Sequence, residues 1–227
     1  MKTILVTGSS RGIGKEICIS LSKKGHQVFA CSRSKIQIPG CKSLIMDPGD
    51  LDSIKDTFGY LQDEKILFDG LVNNAGLLVN KPFLEISESD FQNLAQVNWI
   101  GPAMIIQKIV PLFNHGAHVL NISSMGGFQG SEKFPGLVGY SSSKGALVTL
   151  TECLQSEFGN GGEVIFNALC LGAVQTEMLK EAFPDYLAPT SAKQMGDYIA
   201  DFILFGQKSF AGKVLPVSIS TPWIFFY

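Results

Sequence analysis

Short apolar runs alternate along this chain with longer stretches whose apolar residues recur every three or four positions. The short runs fall at 2–6, 27–31, 43–46, 68–73, 117–122, 164–168 and 214–217. They are apolar almost throughout instead of alternating, as expected of strands covered on both faces in a parallel sheet. The longer stretches predict helices. Residues 12–24 place Ile13, Ile17 and Leu21 on one side, and 50–61 do the same with Leu51, Ile54, Phe58 and Leu61. Further helices are predicted at 87–113, with a kink at Gly101-Pro102, at 137–158 and at 192–205. No linker, repeat or low-complexity stretch divides the chain. The pattern predicts one doubly wound α/β domain over 1–227, a seven-stranded parallel sheet with helices on both faces. Ligands in such a fold bind at the carboxyl ends of the strands.

Composition narrows the function classes. Hydrophobic residues make up 45% and charged residues 17%, so an extensive core, a subunit interface or both are expected. The net charge is -2 with no basic block, which argues against nucleic acid or an anionic membrane surface as partner. No apolar run reaches transmembrane length, and Thr7-Gly8 interrupts the first run too early for a signal peptide. The five cysteines, Cys18, Cys31, Cys41, Cys153 and Cys170, are scattered and odd in number. They read as reduced thiols of a cytoplasmic protein. His26, His115 and His118 have no ligand spacing, and no metal site is expected.

Two stretches carry candidate chemistry. Thr7-Gly8-Ser9-Ser10-Arg11-Gly12-Ile13-Gly14 follows the first predicted strand and opens the first helix. Glycines allow close approach of a ligand, and a helix start offers free N–H groups to a pyrophosphate. In Tyr140-Ser141-Ser142-Ser143-Lys144, a tyrosine and a lysine one helical turn apart share a face. An ammonium beside a phenol favours the phenolate and brings the phenol toward acid–base work near neutral pH.

The G-x-x-x-G-x-G spacing together with Tyr140-x-x-x-Lys144 resembles the classical short-chain dehydrogenase/reductase family. Further motifs fit in order: Asn73-Asn74-Ala75-Gly76, Asn98, Asn121-Ile122-Ser123-Ser124, Gly172-Ala173-Val174-Gln175-Thr176 and Gly212-Lys213-Val214-Leu215-Pro216-Val217. The resemblance implies a Rossmann-type domain and a nicotinamide cofactor. It implies Tyr140 as general acid/base, Lys144 as the group that lowers the phenol and bonds the nicotinamide ribose, Ser124 on the carbonyl oxygen, and Asn98 holding a water that leads from Lys144 to solvent. Ser124 is chosen over Ser123 because Met125-Gly126-Gly127 continues as the family does. Gly8, Ser10, Arg11, Gly12, Ile13 and Gly14 would cradle the pyrophosphate. Asn74, Ala75 and Gly76 would lie against the adenosine ribose, and Asp47 against the adenine. Gly172, Val174 and Thr176 would line the nicotinamide, with a helix N-cap as the alternative for Thr176.

An NAD site usually has an acid at the end of its second strand. Here that place reads Cys31-Ser32-Arg33. Ser32 and Arg33, with Arg11, suit a 2′-phosphate, so NADP(H) is favoured over NAD(H). The expected activity is reduction of a ketone, an aldehyde or a 3-oxoacyl group to the alcohol, or the reverse. A catalytically silent NADP(H)-binding sensor or scaffold is the alternative. The family also implies a homodimer or homotetramer. Three features depart from its pattern. Leu171 stands where proline is usual, so a looser loop is expected. Ser124 and Tyr140 are 16 positions apart, more than is typical. The lid segment, 177–190, is short, so an open site is expected. The apolar tail, 221–227, is read as buried against a neighbouring subunit, with docking back over its own core as the alternative.

Overall fold

The apolar runs become strands. The computed structural model describes residues 1–159 and 161–219. Its strands are β1 (Thr3–Thr7), β2 (Gln27–Ser32), β3 (Cys41–Ile45), β4 (Phe68–Asn73), β5 (Phe113–Ser124), β6 (Val164–Leu171), β7 (Val174–Gln175), β8 (Thr190–Ser191) and β9 (Val214–Val217). The α-helices are α1 (Gly12–Lys23), α2 (Leu51–Asp63), α3 (Glu88–Ala95), α4 (Gly101–Ile109), α5 (Val138–Phe158), α6 (Glu177–Ala182) and α7 (Ala192–Phe205). Seven strands form one sheet in the order β3-β2-β1-β4-β5-β6-β9, every neighbouring pair parallel. The expected seven-stranded doubly wound domain is the observed one. Its winding reverses between β1 and β4, which opens a crevice at the carboxyl ends of the strands.

The lack of alternation along the strands has a direct cause. Consecutive residues Ile4, Leu5 and Val6 are all fully buried, because the two faces of the sheet feed two different cores. On one face Ile17 and Leu21 of α1 and Ile199 and Ile203 of α7 pack on Ile4, Val6, Val72 and Leu120. On the other, Ile54 and Phe58 of α2 and Ile105 and Ile109 of α4 pack on Leu5, Phe29, Leu71 and Phe166. Each such side chain contributes roughly 1.5–3 kcal/mol by leaving water.

Three expectations need adjusting. The helix predicted over 87–113 is interrupted just before Gly101-Pro102. A π turn at Gln96–Ile100 separates α3 from α4, and a 3₁₀ turn at Val110–Leu112 ends the run. Gly101 matters through contact: a Cβ there would lie 2.2 Å from the Pro48 carbonyl oxygen, so only glycine lets the helix approach that loop. Leu171 does not loosen its loop. It is the last residue of β6, 7% exposed, paired with both Ser124 and Val217. The sheet ladder supplies the restraint that a proline ring would have given. The tail 221–227 lies outside the described residues.

A buried polar chain sets α5 against the sheet. Asn73 Nδ2 donates to Asn121 Oδ1 at 2.9 Å, Asn121 Nδ2 donates to Thr151 Oγ1 at 2.9 Å, and that hydroxyl donates to the Leu147 carbonyl at 2.8 Å. Beside it, Ser123 Oγ donates to the Lys144 carbonyl oxygen at 2.9 Å. Helix α5 is thereby fixed in rotation, and with it the side chains of Tyr140 and Lys144.

Candidate active site

The glycine turn between β1 and α1 uses its glycines in two ways. Gly8 and Gly12 have φ of +69° and +55°, where a side chain would be strained. Gly14 instead permits packing: a Cβ there would lie 2.3 Å from the Gly8 carbonyl oxygen and 2.4 Å from Asn74 Nδ2. Gly8, Ser10, Arg11, Gly12 and Ile13 line the crevice, and Gly14 sits behind them. Arg11, the N-cap of α1, gives the first turn no side-chain hydrogen bond. Its N–H groups and the positive end of the helix therefore face the crevice without an internal acceptor. Asn74 holds the turn in place, donating from Nδ2 to the carbonyls of Thr7 at 3.0 Å and Gly8 at 3.2 Å. Thr7, a residue that sequence reasoning passed over, receives the N–H groups of Asn74 and Ala75 on one hydroxyl, each at 3.0 Å.

Across the crevice stand Ser124, Tyr140 and Lys144. Tyr140 is half-buried and Lys144 is 3% exposed. The Lys144 ammonium donates to the Ile122 carbonyl oxygen at 2.8 Å. Gly76 lies against it: a Cβ at that position would be in ordinary contact, 3.5 Å from Nζ and 3.4 Å from Asn98 Oδ1. Burial pushes the Tyr140 phenol up, while a hydrogen bond with the Ser124 hydroxyl pulls it back. Burial also lowers Lys144, to about 8. The expected lowering of the phenol by the amine is thus not what the structure has. Desolvation disfavours the charged form of both groups, and the amine is spent on a backbone carbonyl. Ser124 Oγ accepts the Gly126 N–H at 3.2 Å; both Ser123 and Ser124 line the crevice, but the Ser123 hydroxyl is spent on the Lys144 carbonyl of α5.

Asn98 is fully buried in the π turn and does not line the crevice. Its Oδ1 accepts the Leu77 N–H at 2.8 Å, and its Nδ2 donates to the Leu77 carbonyl at 2.8 Å and to Ser143 Oγ at 2.9 Å. Both amide protons of Asn98 are therefore used inside the protein, while Oδ1 keeps one lone pair.

At the other end lie Ser32, Arg33 and Asp47. Ser32 Oγ donates to the Ser34 carbonyl at 2.6 Å, leaving its lone pairs but not its proton for a ligand. Arg33 is exposed, and among the described residues no hydrogen bond or ion pair holds it. Asp47 Oδ1 accepts the Gly49 N–H at 2.8 Å, so one carboxylate oxygen already holds the turn. Gly172, Val174 and Thr176 line the crevice opposite the glycine turn, and Thr176 also caps α6 through the Leu179 N–H at 3.2 Å.

The short-chain dehydrogenase family model matches residues 2–187. This chain belongs to that family. It is 31% identical over 207 residues to the L-xylulose reductase of Caenorhabditis elegans, covering 86% of this chain and 80% of the relative. It is 29% identical over 195 residues to the NADPH-dependent pterin aldehyde reductase of Arabidopsis thaliana, covering 80% and 78%. A solved structure of a 4-hydroxyisoleucine dehydrogenase mutant, complexed with NADH and succinate, shares the fold: TM-score 0.87 at 22% identity, covering 97% of this chain and 98% of that one.

The lid of this short-chain dehydrogenase is short. Arg11 reaches Glu181 of α6 with both guanidinium nitrogens, at 2.7 and 3.3 Å. From the opposite rim, Asn80 Nδ2 donates to the Ala182 carbonyl at 3.0 Å. The six-residue helix α6 is thereby tied to both rims of the crevice. Glu181 and Asn80 had no signal in the sequence, since each acts across more than 100 positions.

Proposed function

We propose that this protein is an NADP(H)-dependent oxidoreductase that reduces a ketone or aldehyde to the alcohol, or runs the reverse, with Tyr140 as general acid/base. The observation that carries this reading is the meeting of a phenol, a hydroxyl and a buried amine in the same crevice as an uncapped helix start. That crevice, of about 1110 Å³, extends from Arg33 to Tyr186. The residues present fit a dinucleotide. The free N–H groups of α1 behind Gly8 and Gly12 suit a pyrophosphate, and Arg33 beside Ser32 suits a 2′-phosphate where an acid would suit a bare ribose. Arg11 would join once it leaves Glu181, and an exposed ion pair is easily exchanged.

When bound, the cofactor supplies the hydride, which goes to the carbonyl carbon. Tyr140 gives its proton to the carbonyl oxygen, and Ser124 donates a hydrogen bond to that oxygen as negative charge grows on it. Lys144 holds the ribose hydroxyls and passes a proton back to the phenol. The upward-shifted phenol of the free protein stays protonated and ready to act as an acid. Among the relatives, two are named reductases and one of them is named NADPH-dependent, which supports the direction and the cofactor. A homodimer or homotetramer in the cytoplasm completes the proposal. Partly exposed Phe91 and Trp99 on the run from α3 to α4, and five free cysteines, are in keeping with it.

The test is NADPH oxidation followed across a panel of ketones, aldehydes and quinones. Turnover of at least one class with NADPH, and much less with NADH, is expected. NADPH binding without turnover of any panel member would instead favour the silent sensor.

A further inference from the structure

We propose that the carbonyl substrate is uncharged and largely apolar; this rests on the reductase reading above. The charges of the crevice are gathered at one end. Arg11, Arg33, Asp47, Asp50, Glu177 and Glu181 stand around the glycine turn and the end of β2, with Lys144 beneath the phenol. Past Tyr140 and Ser124 the lining changes character. Leu77, Leu78, Met125, Phe134, Leu137 and Phe183 form the walls there. The polar groups among them, those of Asn80 and Tyr186, are neutral, and Asn80 has one amide proton on Ala182 already.

The lysines nearest in sequence do not reach this wall. Lys81 pairs with Asp90 at 2.7 Å, Lys133 donates to the Phe128 carbonyl at 2.7 Å and Ser131 Oγ at 2.6 Å, and Lys180 is exposed on the lid. None of the three lines the crevice. A carboxylate or phosphate placed at this end would lose water and meet no cation. A polyhydroxylated chain would leave most of its hydroxyls unpaired for the same reason. An aromatic or aliphatic ketone instead removes apolar surface of its own and of the walls from water. The reasoning separates this chain from its xylulose-reducing relative, whose sugar has a hydroxyl on nearly every carbon.

The test uses matched pairs. A neutral aryl diketone, 1-phenyl-1,2-propanedione, is compared with its para-carboxylate and with L-xylulose, at saturating NADPH. The same ketones are titrated calorimetrically into protein loaded with NADP+, a dead-end complex that reports binding without chemistry. The neutral diketone is expected to exceed its carboxylate at least about tenfold in kcat/KM and in affinity. Leu78→Arg, or Phe183→Arg on the lid, should narrow that gap by favouring the carboxylate. Equal or better handling of the carboxylate or the sugar overturns the proposal. If nothing turns over but the neutral ketone still binds more tightly, the apolar end is upheld and the reductase reading fails. If no ketone binds at all, the proposal itself fails.

Discussion

Tyr140 and Lys144 are shifted by one cause in opposite directions. Burial raises the phenol and lowers the amine to about 8, so both neutral forms gain. A lysine with this value keeps its charge below about 8 and loses it as pH rises through that point. The kcat/KM for NADPH, which reports groups of the free enzyme, should therefore fall on the alkaline side beginning near 8. Lys144→Arg, which stays charged, should remove that limb whatever its residual rate; an unchanged limb would contradict the assignment. Further along the crevice, Arg33→Ala should weaken NADPH roughly tenfold or more while leaving NADH nearly unchanged, because charge-assisted bonds to a phosphate are the strong ones. Equal weakening would count against a 2′-phosphate at Arg33. Glu181→Gln should release Arg11 and tighten NADPH severalfold in a fluorescence titration, and a loss of affinity would show that the pair is needed as it stands. At this scale the sequence was legible where chemistry rests on residue type, as in Tyr140, Lys144 and the glycine turn. It was not legible where roles depend on which way a side chain turns, as with Thr7, Glu181 and the amide of Asn98.

Among the elements, α1 depends most on a missing side chain. Gly14→Ala would force the helix off the Gly8 carbonyl and Asn74. It should cost ~1–3 kcal/mol in urea unfolding and weaken dinucleotide binding with it. Gly59 in α2 is the contrast: it is exposed and a Cβ there meets nothing within 4 Å. Gly59→Ala should stabilise by ~0.5–1 kcal/mol, since it only restricts the unfolded chain. The helices were readable because their core faces repeat at the helical period, and the strands because they are short and apolar almost throughout. The π turn at Gln96–Ile100 was not, since a wide turn has no propensity signature and Gly101-Pro102 offered a more familiar reason to bend. The role of Leu171 was hidden for a related reason: the restraint comes from Ser124 and Val217 on neighbouring strands, not from the residue itself.

The whole molecule is tied together far from the crevice by His118, which is fully buried in β5. Its Nδ1 donates to the Ile203 carbonyl at 3.1 Å, and its Nε2 accepts from Asn167 Nδ2 at 3.0 Å. These partners suit only the neutral ring, and burial lowers its pKa from 6.5 to about 4. Between those values the unfolded chain holds a proton that the folded one excludes. Stability is therefore complete above about 6.5 and falls as pH drops toward 4, by up to ~3 kcal/mol. Urea unfolding at pH 7.5 and pH 5 should show this loss, and His118→Gln should flatten it relative to the unaltered protein. An identical slope in the variant would place the titration elsewhere. The overall architecture was largely foreseeable, since seven apolar runs separated by helices admit few arrangements. The bridge made by the lid was not, because a short segment in sequence says nothing about what reaches toward it.

The central claim is that the Tyr140 hydroxyl delivers the proton that completes carbonyl reduction. Its most direct test is the turnover of Tyr140→Phe with saturating NADPH, dinucleotide binding being followed by fluorescence in the same samples. Turnover lowered by several orders of magnitude with binding unchanged is the predicted result. Turnover near that of the unaltered protein would contradict it.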